Sequence, residues 1–190
     1  MESQAIAGRK SARERLLAAA DELFYENGIN LVGIDRVIEH AGVAKASLYD
    51  CFGSKEELIR AYLKGRADKR QARIVERMAG LATPQEKILS VFDLLAEIVN
   101  GTHYRGCAFQ RASAEAGASS IIKGTCDESR TWLRSQFTEL ARQAKAADPE
   151  LLGQQLVFLY DGAALAASVD GDRNAPRAAK ALAAQILRTG

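Results

Sequence analysis

Apolar positions recur along most of this chain at the three- and four-residue spacing that gives a helix one buried face. Between Arg9 and Asn27 the recurrent positions are Ala12, Leu16, Ala20, Leu23 and Phe24, and Gly28 stops the run. Ile34, Val37, Ile38 and Ala41 predict a short amphipathic helix ending at Gly42, a residue suited to a left-handed C-terminal position. A third short helix, Lys45 to Cys51, sets Leu48 and Phe52 four apart. Ser54 then caps a long helix from Lys55 to about Ala79, with Glu57 three residues on to complete a capping box. Further helices are predicted from Thr83 to about Asn100, Cys107 to Ala116, Ser119 or Ser120 to about Ala147, Pro149 to about Ser168 and Pro176 to about Arg188. Residues 1–8 carry no periodic pattern and read as a mobile arm.

Composition strengthens the all-helical reading. The 190 residues include 34 Ala and 20 Leu against 8 Val, which favours helices over strands. Pro84, Pro149 and Pro176 each stand at a predicted helix start, so none interrupts a helix. The expected fold is therefore all-α, with about nine helices. The natural boundary lies near residue 53, where short helices give way to long ones, dividing the chain into 1–53 and 54–190.

Charge and cysteine usage narrow the classes. Lys plus Arg is 26 and Asp plus Glu 24, a net +2, which excludes a strongly basic tail but not a local basic surface. The longest uncharged run, Leu151 to Tyr160, falls far below the ~18 residues a membrane span needs. No apolar h-region opens the chain, so no signal peptide is read there. Cys51, Cys107 and Cys126 are odd in number and widely spaced, neither a disulfide framework nor a zinc signature. The default compartment is the reducing cytoplasm, with no metal, no cofactor and no membrane partner expected.

The most specific feature is the pair of short helices joined at Ala41-Gly42-Val43. A glycine permits the tight turn of a helix-turn-helix, whose second helix sends its N-terminal residues into the major groove. The wider run from Ile34 to Leu58, with AGV at the turn, Ser47-Leu48-Tyr49 and Phe52 in the second helix, then Ser54-Lys55 and Leu58, resembles the tetracycline-repressor (TetR) family signature. Leu16, Ala19, Ala20, Leu23, Phe24 and Gly28 are similar to its first helix, so the resemblance covers roughly residues 9 to 60.

That resemblance implies a three-helix DNA-binding domain followed by a helical domain that binds a small effector and dimerises. It implies that Lys45, Ala46 and Ser47 face base edges, that Tyr49 reaches a phosphate, and that Lys55 meets a phosphate at its helix N-terminus. Arg36 is a further phosphate candidate, and Leu48 and Phe52 are core. Three positions depart from the family pattern: Ile38 replaces a frequent alanine, and Asp50 and Cys51 replace aromatic or histidine side chains. Asp50 either accepts from a cytosine amino group or points to solvent. Basic and acidic residues nearly balance over residues 1–66, so a DNA surface must come from arrangement. Arg9, Lys10, Arg13 and Arg15 cluster at the N-terminus and read equally as a DNA surface or a solvated helix face.

In the C-terminal two-thirds the resemblance gives a class of task and no ligand. Leu156, Leu159, Tyr160, Ala163, Ala164 and Ala167 on one helix pair with Ala179, Leu182, Ala183 and Ile186 on the next. Two such helices from each copy would make a four-helix homodimer interface, and the same residues also fit an intramolecular core. A pocket between about 84 and 160 would draw on Phe92, Tyr104, Phe109, Trp132, Phe137 and Phe158, with His103, Cys107 and Gln110 as polar candidates. Each of these also fits plain core packing, and the scarcity of charge among them points to a largely apolar ligand.

The function expected is a ligand-responsive homodimeric repressor on a palindromic operator of double-stranded DNA. The alternative is a redox-sensing regulator acting through Cys107 or Cys126, against inert buried thiols. An enzyme built on His103 and Cys107 is not expected, because neither an orienting acid nor an oxyanion motif accompanies them.

Overall fold

The computed structural model describes residues 10–189, and among them the regular structure is nine α-helices. The expected arm and Arg9 lie outside the described residues. The order is α1 (Ala12–Asn27), α2 (Ile34–Ala41), α3 (Lys45–Phe52), α4 (Lys55–Met78), α5 (Pro84–Asn100), α6 (Ala108–Glu115), α7 (Ser120–Gln143), α8 (Pro149–Val169) and α9 (Ala175–Thr189). The expected all-α class and helix order both hold.

Local chemistry explains where the helices begin. α1 starts at Ser11, whose hydroxyl accepts from Glu14 N while the Glu14 carboxylate reaches back, a full capping box that the sequence reading overlooked. Thr83 and Glu86 make the same box ahead of Pro84. At α4 only half of the expected box forms. Ser54 accepts from Glu57 N, but the Glu57 carboxylate pairs with Arg60 one turn on.

The ends are equally specific. α2 closes on Gly42, which is left-handed (φ 61°), and Val43 N–H reaches back to Ile38 O. α7 stops four residues short of the expected Ala147. Lys145 takes a left-handed conformation (φ 60°) and Ala146 N–H closes on Ala141 O, so the helix ends in the same motif without a glycine.

Two apolar clusters form the interior. One gathers Leu16, Phe24, Val37 and Leu48 with Leu58 and Leu63 of α4, Ala108 and Ala112 of α6 and Ile122 and Cys126 of α7. The other gathers Ile74 of α4 with α5, α7, α8 and α9 around Phe92, Phe137 and Leu156. The first half of α4 therefore serves one cluster and its last turns serve the other. At 1.5 Å per residue the 24-residue helix spans about 36 Å. α7 and α8 cross closely at Gly153, where a Cβ would stand 3.0 Å from the main chain of Thr138.

Phe92 stacks on Phe137 and meets Tyr160 edge-on, and all three are buried. This settles the two readings of α8 and α9 by burial. Leu156, Tyr160, Ala163, Ala164 and Ala167 of α8, with Ala179 and Ala183 of α9, face the chain's own core. Seven of the ten residues assigned to a dimer interface are buried within the chain; Leu159 and Ile186 are half-buried and Leu182 is exposed. The helices turn a different stripe outward, carrying Leu151, Phe158, Leu165 and Val169 from α8 and Leu182 from α9. Phe158, assigned to a pocket, belongs to that outer stripe at 56% exposure.

Candidate functional site

The helix-turn-helix is held by one apolar anchor and one cation. Leu48 has no exposed surface and packs with Leu16, Val37 and Leu58, which fixes α3 against its neighbours. Arg15 of α1 donates through Nη1 to Ala41 O (3.3 Å) and Gly42 O (2.8 Å), the carbonyls at the turn. The basic cluster at the N-terminus therefore divides. Lys10 and Arg13 stay exposed, with Arg13 over the half-buried Phe52 ring at 5.2 Å, while Arg15 is drawn inward as a clamp.

With the turn fixed, α3 presents Lys45, Ala46, Tyr49 and Asp50 to solvent, and Ser47 is half-buried. Lys45 Nζ is 2.9 Å from the Asp35 carboxylate on α2, an exposed pair that raises the lysine pKa through the hydrogen bond and the charge. That pair uses one of the three ammonium donors and leaves two for a base or phosphate. Arg36 is exposed beside it. Lys55 is half-buried at the start of α4, where burial lowers its pKa and the Glu115 charge opposes that shift. Three further acids are engaged away from α3: Asp21 pairs with Arg66, Glu57 with Arg60, and Glu56 accepts from Ser119.

A cavity of about 250 Å³ lies where the two clusters meet. α1 contributes Asp21 and Tyr25, and the segment entering α6 contributes Tyr104, Cys107 and Phe109. Leu94, Leu95 and Ile98 of α5 with Tyr160 and Ala164 of α8 form its apolar wall. Arg66, Lys69, Arg70 and Arg73 of α4 also line it. A second cavity of about 530 Å³ shares Arg70, Cys107 and Phe109, and reaches Gln110, Cys126 and the outer α8 residues Gly162 and Leu165.

Tyr25 joins the two halves of the molecule. Its ring lies under the Arg66 guanidinium (3.6 Å), and its hydroxyl donates to Gly106 O and accepts from Arg105 N, each at 3.1 Å. Arg111 of α6 donates to Tyr25 O (2.6 Å). Asn30, just past α1, binds both the carboxylate and the carbonyl of Glu115, each at 2.9 Å. The C-terminal end of α1 is thereby tied to α6.

Of the expected pocket residues, Tyr104, Cys107, Phe109 and Gln110 line these cavities. Phe92 and Phe137 do not, because both are fully buried in the α5–α7–α8 core. Trp132 packs half-buried against that same core, and His103 is exposed in the α5–α6 turn. The sequence reading missed Asp21, Tyr25 and the four cations. Their signal was present: 66, 69, 70 and 73 share one helix face by spacing. A charged stripe on a long helix usually faces water, so spacing alone does not separate this face from a solvated one.

The redox alternative finds no support at Cys126, and Cys107 is half-buried beside both cavities. Cys126 is buried, and burial pushes its thiol up to about 11, so at neutral pH it holds the unreactive protonated form. His103 and Cys107 share no helical face, since α6 begins only at Ala108. Among the described residues no helix is long and apolar enough to cross a membrane.

Comparison with known proteins agrees with this architecture. The family model for bacterial regulatory proteins of the tetR family matches residues 16–62, the region holding α1–α3 and the start of α4. A solved TetR-family transcriptional regulator from Streptomyces coelicolor is 30% identical, with 94% of this chain and 95% of that chain aligned at a TM-score of 0.87. The transcriptional repressor KstR2 of Mycobacterium tuberculosis is 30% identical over 106 residues, covering 55% of this chain and 53% of its own length. The transcriptional activator FasR of Mycolicibacterium smegmatis is 42% identical over 60 residues, 32% of this chain and 27% of its own. The chain thus spans about half the length of the first of these curated relatives and about a quarter of the other. Helix order, turn motif and full-length likeness converge: the chain belongs to the TetR family of DNA-binding transcriptional regulators.

Proposed function

We propose that this regulator is a homodimeric repressor that leaves a palindromic operator when a small molecule fills the cavity between α1, α4, α5 and α6. The observation that carries the reading is the cavity wall itself. Asp21 and Tyr25 belong to the helix whose Arg15 clamps the helix-turn-helix, so a ligand there touches the same element that orients α3. In this reading residues 1–53 read DNA and residues 54–190 bind the effector and dimerise. Repression is the sign suggested by the likeness to KstR2. A regulator of this kind acts on the chromosome, hence in the cytoplasm.

Lys45, Ala46, Ser47 and Asp50 face base edges, and Tyr49, Arg36 and Lys55 meet phosphates, Lys55 with its helix N-terminus behind it. The twofold axis runs through the outer stripe of Leu151, Phe158, Leu165 and Leu182, whose apolar side chains two copies would bury together. A twofold dimer matches half-sites about one helical turn apart. Ligand binding favours a dimer state whose reading heads no longer match that spacing, with α4 as the lever between the clusters.

The test is selection of bound sequences from a random DNA library by the full chain, read at two salt concentrations. An enriched palindrome is expected, with about three decades of affinity lost between 50 and 200 mM salt if six phosphates are contacted. Lys45→Ala should relax base preference, and Tyr49→Phe should weaken operator and random DNA alike. Unchanged operator affinity in both variants would remove α3 from the interface.

A further inference from the structure

The smaller cavity is electrostatically one-sided. Four cations face it from α4, and its wall holds a single carboxylate, Asp21. That carboxylate is already engaged, 2.6 Å from Arg66 Nε and 3.7 Å from Lys69 Nζ. Arg66 is further fixed on the Tyr25 ring. The other two arginines are left with capacity. Arg70 lies over the Phe109 ring at 4.7 Å and donates through Nη2 to the carbonyl and hydroxyl of Ser129, both at 2.8 Å. Its Nε is buried and has no hydrogen-bond partner. Arg15 Nε is buried and unpaired in the same way, so it is the place of Arg70 in the cavity wall, and not this orphan donor, that bears on an occupant. Arg73, one turn on, makes no hydrogen bond or ion pair among the described residues.

The same cavity is lined by Leu94, Leu95 and Ile98, which offer no polar side-chain atom. A volume of about 250 Å³ lies below the ~300–1,000 Å³ of drug-sized pockets. An occupant that matches this lining would be small, with negative charge at one end and hydrocarbon at the other. Guanidinium groups suit a planar carboxylate, which can accept from two donors at once.

We propose that this cavity takes a small organic monocarboxylate, its carboxylate held by the Arg70 and Arg73 guanidinium groups and its hydrocarbon part by Leu94, Leu95 and Ile98. This rests on the reading of the cavity as the effector site, and it changes the expected ligand from largely apolar to amphipathic and anionic.

The test is calorimetric titration of the full chain with phenylacetate, benzoate, hexanoate and octanoate, each against its uncharged amide, and with inorganic phosphate. At least one acid should bind ten-fold or more tightly than its amide, and phosphate alone should bind more weakly than that acid. Arg73→Gln, which removes no internal contact, should keep the melting temperature and erase most of the preference for acid over amide. The proposal is overturned if no acid binds, if every acid binds no better than its amide, if phosphate alone binds as tightly, or if Arg73→Gln keeps the preference. Operator release is measured separately. An acid that binds without loosening the operator overturns the release mechanism and leaves the acid site standing, and a neutral molecule that releases the operator when no acid binds does the reverse.

Discussion

The reading head and the cavity are assembled in opposite ways. The candidate DNA contacts run from Arg36 to Lys55, one continuous stretch whose backbone is set by a turn, an apolar anchor and a clamp. The cavity draws its walls from α1, α4, α5, α6 and α8, between Asp21 and Ala164. A continuous stretch leaves a spaced motif in the sequence, because its function depends on neighbours along the chain. A wall collected from five helices leaves only scattered side chains, each of which also makes sense as core or as solvated surface. The comparison teaches that recognition of DNA and recognition of an effector are under different constraints in one small protein.

Leu48→Ala tests the anchor of the reading head and should have the largest effect, about 2–5 kcal/mol of unfolding free energy. Urea denaturation measures it, and a loss under half a kcal/mol would mean that α3 is held by something else. The outer stripe comes next. Phe158→Glu combined with Leu165→Glu should leave the helical circular dichroism intact and convert the dimer to a monomer in light scattering. Operator affinity should fall at least about 100-fold as the second half-site contact ceases to be intramolecular. A dimer that survives both charges would place the twofold axis on another face.

Arg15→Met sharpens the contrast between clamp and DNA contact. Loss of its hydrogen bonds to the turn carbonyls should cost about 1.5–3 kcal/mol of stability. If stability stays constant and only the salt dependence of DNA binding falls, Arg15 is a phosphate contact and the clamp is dispensable. The smallest effect is expected at Cys126. With its thiol at about 11, iodoacetamide at pH 7.5 should leave it unmodified in the native chain, as read by mass spectrometry. Rapid alkylation there would reopen the redox reading.

Much of the fold was legible because helix punctuation is local. Gly28, Gly42, Ser54, Thr83 and Pro149 all mark boundaries where the sequence places them. The missed α7 end shows the limit, since Lys145 adopts a conformation usually left to glycine. The dimer stripe was misread for a related reason. Both faces of α8 are apolar, one with small residues and the other with Phe158 and Leu165, and periodicity alone does not say which face meets the chain's own core. Arg15 and the α4 cations were hidden because a charge gives no sign in sequence of whether it will meet water, a carbonyl or a cavity.

Tyr25 carries a consequence for the cell. It is at once a residue of the helix that steadies the reading head and a piece of the effector's wall. Two binding events that share one element are linked, and the linkage runs both ways with the same factor. If the cavity is the effector site, operator DNA will loosen the effector as strongly as the effector loosens operator DNA. Copies of the regulator stored on the chromosome would be the last to respond, and copies free in solution would act as a sink that sets the effector level at which the operator opens.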